Sequence, residues 1–389
     1  RVDATLGMCL LRCPVPERVA HYAEILRGHR ITRDAMTALR GLLGAAERGS
    51  LQGDELVSEA SGEILRLHDG KQKADPGVTT GAIIADECAR IAVEEANGVY
   101  VRGMPTGLDS LDKLTGGIPY GVTTLILARP GMGKTTLMHN MAWCAALLGG
   151  DQPLLYSYED NHQSFAQRSM AQSSGVPTDR IRARTFNRQE MTSINSARRR
   201  MLDRREVIVR AAGMGVDELI RDARARRIRG NGGAGTVGRV VFVDYIQKMP
   251  EPKGQTRNER LGILSRKLSE WASRDNIAVV VGSQVNRGVE GREDHRPKLS
   301  DARDCGELEQ DCKLALGLYR PGKYNESPTG EKGSVAPDTL LELLVLKNHN
   351  GEADCFATVF WDLQTHTIVD DARGLGARLA RRNGDGERI

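Results

Sequence analysis

Near the start of the chain, apolar residues recur at helical spacing: Tyr22, Ile25 and Leu26, then Met36, Leu39, Leu42 and Leu43, then Leu56, Ala60, Ile64 and Leu67. The polar, glycine-bearing stretch ERGSLQGDE interrupts the series and predicts a helical hairpin. A hairpin this short has too few residues for a large core, so its apolar faces call for a partner hairpin, upstream or on another subunit. HDGKQKADPGVTTG then reads as a linker, and AIIADECARIAVEEAN as one amphipathic helix with Ile84, Cys88, Ile91 and Val93 on or near one face. That helix docks either on its own domain or on a neighbouring subunit.

Beyond GVYVRGMPTGLDSLDKLTGG the pattern changes. VTTLILA, PLLYSYE, EVIVRAA, RVVFVDY, IAVVVGSQ, KLALGLYR and LLELLVLK are apolar runs alternating with helical segments, several apolar enough for strands buried on both faces of a parallel sheet. LLELLVLKNHNGEADCFATVFWD reads as two strands joined by a polar turn, for which its Asn-Gly pair is sufficient chemistry. The fold class predicted is α/β, with a mostly parallel central sheet preceded by a small all-α domain. The expected divisions are a helical N-terminal domain over 1–74, incomplete because the chain begins at Arg1, a linker with its helix over 75–103, the α/β domain over 104–372, and a basic, disordered tail over 373–389.

Composition adds few constraints. A chain of 389 residues, 40% hydrophobic, has room for a large core and two or three domains. A net charge of +4, from 55 basic and 51 acidic residues, is too balanced to single out a nucleic-acid partner, and it leaves room for a local basic surface. The seven cysteines, at 9, 13, 88, 144, 305, 312 and 355, lack the paired spacing of a zinc site or a disulfide framework, which fits reduced thiols in a cytoplasm. No apolar run approaches the ~20 residues of a membrane span, and the first residues lack the pattern of a signal peptide.

The candidate chemistry starts where VTTLILA runs into ARPGMGKTTLMHNMA. Ala128, Arg129, Pro130, Gly131, Met132, Gly133, Lys134, Thr135 and Thr136 form a phosphate-binding loop between a buried strand and a long helix. Glycines allow close backbone approach, free amides at the helix start meet the phosphates, Lys134 reaches the β and γ phosphates of ATP, and the Thr135 hydroxyl suits Mg²⁺. RVVFVDYIQ ends a strand in Asp244, either a turn former or, beside that loop, the carboxylate that holds the water shell of Mg²⁺. Glu159, after PLLYSY, is a candidate base for the attacking water, and Gln284, ending AVVVGSQ, a candidate γ-phosphate sensor, because ligands gather at the carboxyl ends of parallel strands.

Together these residues resemble the DnaB family of hexameric replicative helicases, whose motor is a RecA-type ATPase. The resemblance runs through TGLDSLDKLTGG, ARPGMGKTT, YSYE, FVDYIQKM, SRKLSEWASRDNIAVVVGSQVNR, RPKLSDARDCGELEQD and LKNHNG in family order, and HYAEILRGHRITRDAM resembles part of the family's N-terminal helical domain. It implies the roles already given to Lys134, Thr135, Glu159, Asp244 and Gln284. It also implies a ring of six subunits with ATP bound between neighbours, single-stranded DNA threaded through the centre, translocation from 5′ to 3′, a loader and a primase as partners, no membrane, and a linker helix that docks on the adjacent subunit. SDARDCG matches a central DNA loop of the family, so Arg303, Asp304 and Gly306 would contact the DNA backbone, although Val285 to Gly306 holds five basic and five acidic residues and is no basic stripe. A second basic run, with Arg221, Arg224, Arg226, Arg227 and Arg229, is either a solvated helix face or a further DNA contact.

One position departs from the family. The turn LKNHNG should offer a lysine and, two residues on, an arginine finger to the neighbouring subunit's ATP; Lys347 is present, but the finger position is His349. Arginine grips a γ-phosphate with two parallel hydrogen bonds and is always charged, whereas histidine is shorter and ordinarily titrates near ~6.5. Arginine fingers contribute roughly 10³ to 10⁵ in rate in GTPases. Either a protonated histidine beside the triphosphate or another arginine, such as Arg320, would compensate, and hydrolysis is expected to be retained, slower and favoured by acid. Two other readings stand beside the helicase: a RecA-type ATPase that remodels DNA without unwinding it, and a ring with impaired hydrolysis.

Overall fold

The computed structural model describes residues 19–50, scattered positions between 52 and 91, and 103–371 apart from 149–150, 202–206, 231–235, 251–255 and 330–334. The chain divides into two compact units, 1–91 and 92–389. In the first, helix α1 (Val19–Glu47) runs unbroken through 29 residues. It ends where predicted: Gly49 takes φ +69°, and its N–H and that of Ser50 turn back to the carbonyls of Ala46 and Ala45. Helical positions resume between 53 and 60 and again between 80 and 91. Met36, Leu39 and Leu43, at helical spacing on α1, stay 50%, 55% and 60% exposed, an apolar stripe this unit does not fill. The distal part of the predicted hairpin, most of the linker and the tail at 373–389 lie outside the described residues.

The second unit is built on a nine-stranded sheet of order β3-β2-β4-β5-β1-β6-β7-β8-β9. Strands β1 (Thr123–Ala128), β2 (Asp151–Ser157), β3 (Val207–Arg210), β4 (Thr236–Asp244), β5 (Ala278–Gln284) and β6 (Leu314–Tyr319) are parallel. β7 (Leu340–Asn348), β8 (Cys355–Asp362) and β9 (Thr367–Val369) extend the sheet antiparallel. Every residue of β1 and β6 is buried, as strands covered on both faces require. The three-residue β9 had no apolar run of its own to announce it.

Around the sheet lie helices α2 (Asp109–Thr115), α3 (Lys134–Leu148), α4 (His162–Ser174), α5 (Thr178–Ala183), α6 (Arg188–Met201), α7 (Val216–Gly230), α8 (Arg257–Asp275) and α9 (Gly306–Asp311). Alternation along β1 sorts the core into two layers. Leu125 and Leu127 face Leu219 of α7 and Leu264, Leu268 and Trp271 of α8, while Ile126 and Ala128 face Leu137, Met138 and Met141 of α3. A satellite core of Ala171, Val176 and Ile181, with Phe186 and Ile194 against it, ties α5 and α6 to α4.

Among the described residues, one carboxylate sits fully inside. Glu342 of β7 has no exposed surface; Arg296 clamps it at 2.8 and 3.1 Å, and Thr329 adds its N–H at 2.7 Å and its hydroxyl at 2.9 Å. This carboxylate pins the segment around residue 296, after β5, onto the sheet. Arg296→Met strands the charge and should cost about 3–5 kcal/mol of stability. Urea unfolding of the intact chain checks this, and the double variant Arg296→Met/Glu342→Leu should regain most of the loss.

Candidate nucleotide-hydrolysis site

The phosphate loop is shaped by backbone that only glycine adopts readily. Gly131 and Gly133 take φ +77° and +101°, and a Cβ on Gly133 would come within 2.9 Å of the Trp361 ring on β8. Met132, between them, is 1% exposed and anchors the loop in the core. The Leu137 N–H returns to the Gly133 carbonyl at 2.8 Å and starts α3, while the Met132 N–H turns back to the Arg129 carbonyl at 3.2 Å, so the amides from Gly133 to Thr136 are the ones left to face an anion.

Lys134 and Thr135 converge on one carboxylate. Asp244, 1% exposed at the end of β4, accepts the Lys134 ammonium at 2.6 Å on Oδ1 and the Thr135 hydroxyl at 2.6 Å on Oδ2. Lys134 Nζ also lies 4.2 Å from the centre of the Tyr245 ring. A hydroxyl beside a carboxylate is a hard-oxygen pair suited to Mg²⁺, so these two residues fit that ion. Among the described residues there is no cluster of three His, Cys, Asp or Glu side chains that would hold a metal.

The loop opens on a cleft of about 430 Å³, walled also by Glu159, Tyr245, Gln284, Arg168, Trp361 and His366. Glu159 stands two residues past β2, half-exposed, paired with Lys248 at 3.3 Å. Gln284 lies beside Ala128 in register. Its main chain is gripped by Gln247, whose Oε1 accepts its N–H at 3.2 Å and whose Nε2 donates to its carbonyl at 3.2 Å and to Ser283 Oγ at 2.8 Å. Arg129 donates to the Val285 carbonyl at 2.9 Å and pairs with Glu290, tying the phosphate loop to the segment after β5. The Arg129 guanidinium holds the Glu290 carboxyl below the usual range.

Sequence reasoning missed several of these groups. Tyr245, Gln247 and Lys248 follow Asp244 in FVDYIQKM, so adjacency to the metal candidate was a usable signal. Arg168, held by Asp160 at 2.6 and 3.0 Å, projects from α4 nine residues after Glu159. Trp361 and His366 arrive from more than 220 residues downstream, and nothing local marked them. His366 takes φ +55° in the β8–β9 turn, and its buried Nδ1 has no hydrogen-bond partner. Burial first, then the charge of Arg168, push its pKa below 6.5.

Three groups of expected residues lie outside this cleft, and for two of them, Lys347 with His349 and the Arg303 segment, a place outside it is what the resemblance implies. Arg320 does not reach the nucleotide cleft: 7% exposed, it directs its guanidinium to the Gly131 carbonyl at 3.2 Å and to Asp338, and lies 4.9 Å from the Trp361 ring. It props the loop of its own chain from behind, so it is a brace and not a substitute finger. Lys347 and His349 lie at the opposite edge of the sheet. Lys347 pairs with Ala315, near the start of β6 and beside Leu125, and its ammonium caps the Glu309 carbonyl at 2.6 Å; the exposed His349 sends its N–H to Lys313 O at 2.9 Å. Neither lines the cleft. Arg303 and Asp304 sit in a 3-10 segment, Leu299–Cys305, and Gly306 opens α9; the placement of their side chains lies outside the description. In α7, Arg224 and Arg227 pair with Asp275, and Arg226 with Asp222, which leaves that helix poorly suited to DNA.

With a strand-loop-helix phosphate cradle, its lysine and hydroxyl on a buried aspartate, and a parallel sheet behind them, the domain is a phosphate-loop NTPase of RecA-like fold. Known proteins narrow the class. The family model described as "DnaB-like helicase C terminal domain" matches residues 103–368. The replicative DNA helicase DnaB of Pasteurella multocida is 30% identical over 349 residues, covering 87% of this chain and 71% of its own. A solved ATPase domain aligns at 25% identity with a TM-score of 0.67, covering 76% of this chain and all of that one. A DnaB-like replicative helicase, solved in a study of its interactions with primase, shares the fold at 22% identity and TM-score 0.71, over 94% of this chain and 82% of that one. The chain belongs to the DnaB-like helicase family, and its activity is that of an ATP-hydrolysing replicative DNA helicase.

Two outcomes follow from the cleft. Gly133→Val should abolish nucleotide binding, and adding Trp361→Ala should not restore it, because the positive φ remains even after the ring is gone; equilibrium binding of a fluorescent ATP analogue reads both. For His366, the folded pKa lies below the unfolded value, so acidification protonates the unfolded chain first and stability is lost as pH falls through ~6.5. Melting temperatures from pH 7 to 5.5 should therefore drop more for wild type than for His366→Gln.

Proposed function

We propose that the chain forms a homohexameric ring that couples ATP hydrolysis to 5′ to 3′ movement on single-stranded DNA and parts the duplex at a replication fork. The observation that carries this reading is the division of the nucleotide residues: Lys134, Thr135, Glu159 and Gln284 line one cleft with Asp244 buried against Lys134 and Thr135, while Lys347 and His349 sit at the other end of the same sheet's strands. A side chain there has no path to its own chain's phosphates, but it suits the ATP of a neighbour docked against that edge.

In this arrangement the loop amides of Gly131, Gly133, Lys134 and Thr135 and the Lys134 ammonium bind the triphosphate. Thr135 and Asp244 would hold Mg²⁺, which supplies charge neutralisation on the phosphates. Lys134 leaves Asp244 for the β and γ phosphates, which frees the carboxylate for that duty. Glu159, drawn away from Lys248, accepts a proton from the attacking water, which adds to the γ phosphorus as the bond to the β–γ bridging oxygen breaks, giving ADP and phosphate. Gln284 reads the presence of the γ-phosphate, and its main chain passes that state through Gln247 and Val285 toward the loop that carries Arg303, Asp304 and Gly306. These three contact the DNA backbone. A loader and a primase act with the ring in the cytoplasm of a bacterial or phage-infected cell.

A fork with a free 5′ single-stranded tail tests the helicase. Wild type should separate it with ATP, and Lys134→Ala should not. Normal ATP turnover by a folded hexamer that parts no strands would favour the DNA-remodelling ATPase. The histidine at the finger position favours slower hydrolysis. DNA-stimulated ATPase should fall in the order His349→Arg, wild type, His349→Ala. A His349→Ala ring equal to wild type removes the histidine from the mechanism.

A further inference from the structure

From Asp179 to Arg205 the chain holds nine arginines, at 180, 182, 184, 188, 198, 199, 200, 204 and 205, against three acidic residues, at 179, 190 and 203. That is a net +6 in 27 residues, while the whole chain is only +4, so the remainder is −2. α5 and α6 display much of this charge on one small lobe. Arg180 is half-buried and neutralised by Glu190 at 2.6 Å. Arg182, Arg184, Arg188, Arg198 and Arg199 are exposed, and none forms an ion pair with a carboxylate among the described residues. α7 shows the contrast: three of its arginines are matched by Asp222 and Asp275.

The charges share a face. On α6, Ile194 packs on the satellite core, Ala197 is buried, and Glu190 lies on the same side. At ~100° per residue, Arg188, Met191, Asn195, Arg198 and Arg199 fall within a sector of roughly 100°, centred roughly 120° around the helix from that buried side. Arg184 caps α5 in a left-handed conformation, φ 58°, beside this face in sequence. The lobe is fixed to the sheet, since Thr178 donates its N–H and hydroxyl to the Gln364 carbonyl at 2.9 and 3.0 Å.

We infer that the outer face of the α5–α6 lobe is a second, sequence-independent contact for the phosphate backbone of DNA, separate from the segment around Arg303. The separation is structural, because the lobe packs on α4 whereas residues 299–311 pack on α8. Unpaired guanidinium groups in a row match a regular line of phosphates and can each bind one with two hydrogen bonds. The chemistry disfavours other polyanionic partners. A lipid-binding helix needs a free apolar face, and that of α6 is already packed on α4, with Met191 its single large exposed hydrophobe. A protein interface calls for aromatic anchors that the sector lacks. The choice of DNA rests on the function proposed above; the charge geometry stands without it.

The test uses the intact protein and the triple variant Arg188→Gln/Arg198→Gln/Arg199→Gln, all outside the nucleotide cleft. Affinity for fluorescein-labelled duplex and for single-stranded DNA is measured from 50 to 200 mM salt. Three lost phosphate contacts should flatten the slope of log affinity against log salt by about 2.7 on duplex, or about 2 on a single strand. DNA-free ATP turnover should stay at the wild-type rate. Unchanged slope and affinity on both DNAs would overturn the inference. So would a loss confined to phosphatidylglycerol vesicles, which would make the face a lipid contact. A wild type that binds no DNA at all sinks the proposed function itself, whereas equal slopes for wild type and variant sink this inference alone.

Discussion

Two oxygens of one buried carboxylate organise the catalytic half of this molecule. Asp244 holds the Lys134 ammonium and the Thr135 hydroxyl at 2.6 Å each, in a position with almost no access to water. Burying an ion this deeply is tolerable only when it is paired and hydrogen-bonded. The parallel sheet makes that possible, because β4 ends at Asp244 two strands away from the end of β1, where the loop begins. The loop then needs support from outside, and Trp361 at Gly133, Arg320 at Gly131 and Lys323 at Pro130 give it. The order of strands decides where the lysine stands, and the strands downstream decide that the loop stays in shape.

The legible parts of this architecture are those whose signal is local. Buried strands such as VVFVD and AVVVGSQ carry near-continuous apolar runs, and the glycines, lysine and threonine of the loop occur within a few residues of one another. The helix break at Gly49 was legible for the same reason. What escaped notice depends on contacts remote in sequence. His366 and Trp361 reach the cleft from the antiparallel extension of the sheet, and Arg168 from a helix whose pattern says only that it is amphipathic. Arg320 stood at a strand end like the true cleft residues, yet Asp338, 18 residues on, captures it and turns it behind the loop. The arginines of α7 illustrate the same limit, since their partner Asp275 lies at the end of a different helix.

The antiparallel hairpin separates Lys347 and His349 from the phosphate loop of their own chain. Because β7 runs opposite to β6, its last residues are delivered to the edge where β1 and β6 begin, away from the phosphates. A parallel strand would have carried Lys347 and His349 toward the chain's own loop. The reversal leaves Lys347 on the Glu309 carbonyl and His349 exposed at the tip, and an exposed histidine there suits an interface better than a core. The α5–α6 lobe presents its arginines outward in the same fashion, held by a small core of its own, so that the domain offers charged side chains on surfaces that the nucleotide cleft does not use.

The central claim is that a working ATP site takes Lys134 from one chain and Lys347 from the next. Mixing Lys134→Ala chains with Lys347→Ala chains and measuring DNA-stimulated ATP turnover tests it most directly. Each variant alone should be close to inactive, and rings assembled from both should recover part of the wild-type rate, because some interfaces then join an intact Lys134 to an intact Lys347. A mixture as inactive as its components, or a Lys347→Ala ring as active as wild type, would contradict the shared site.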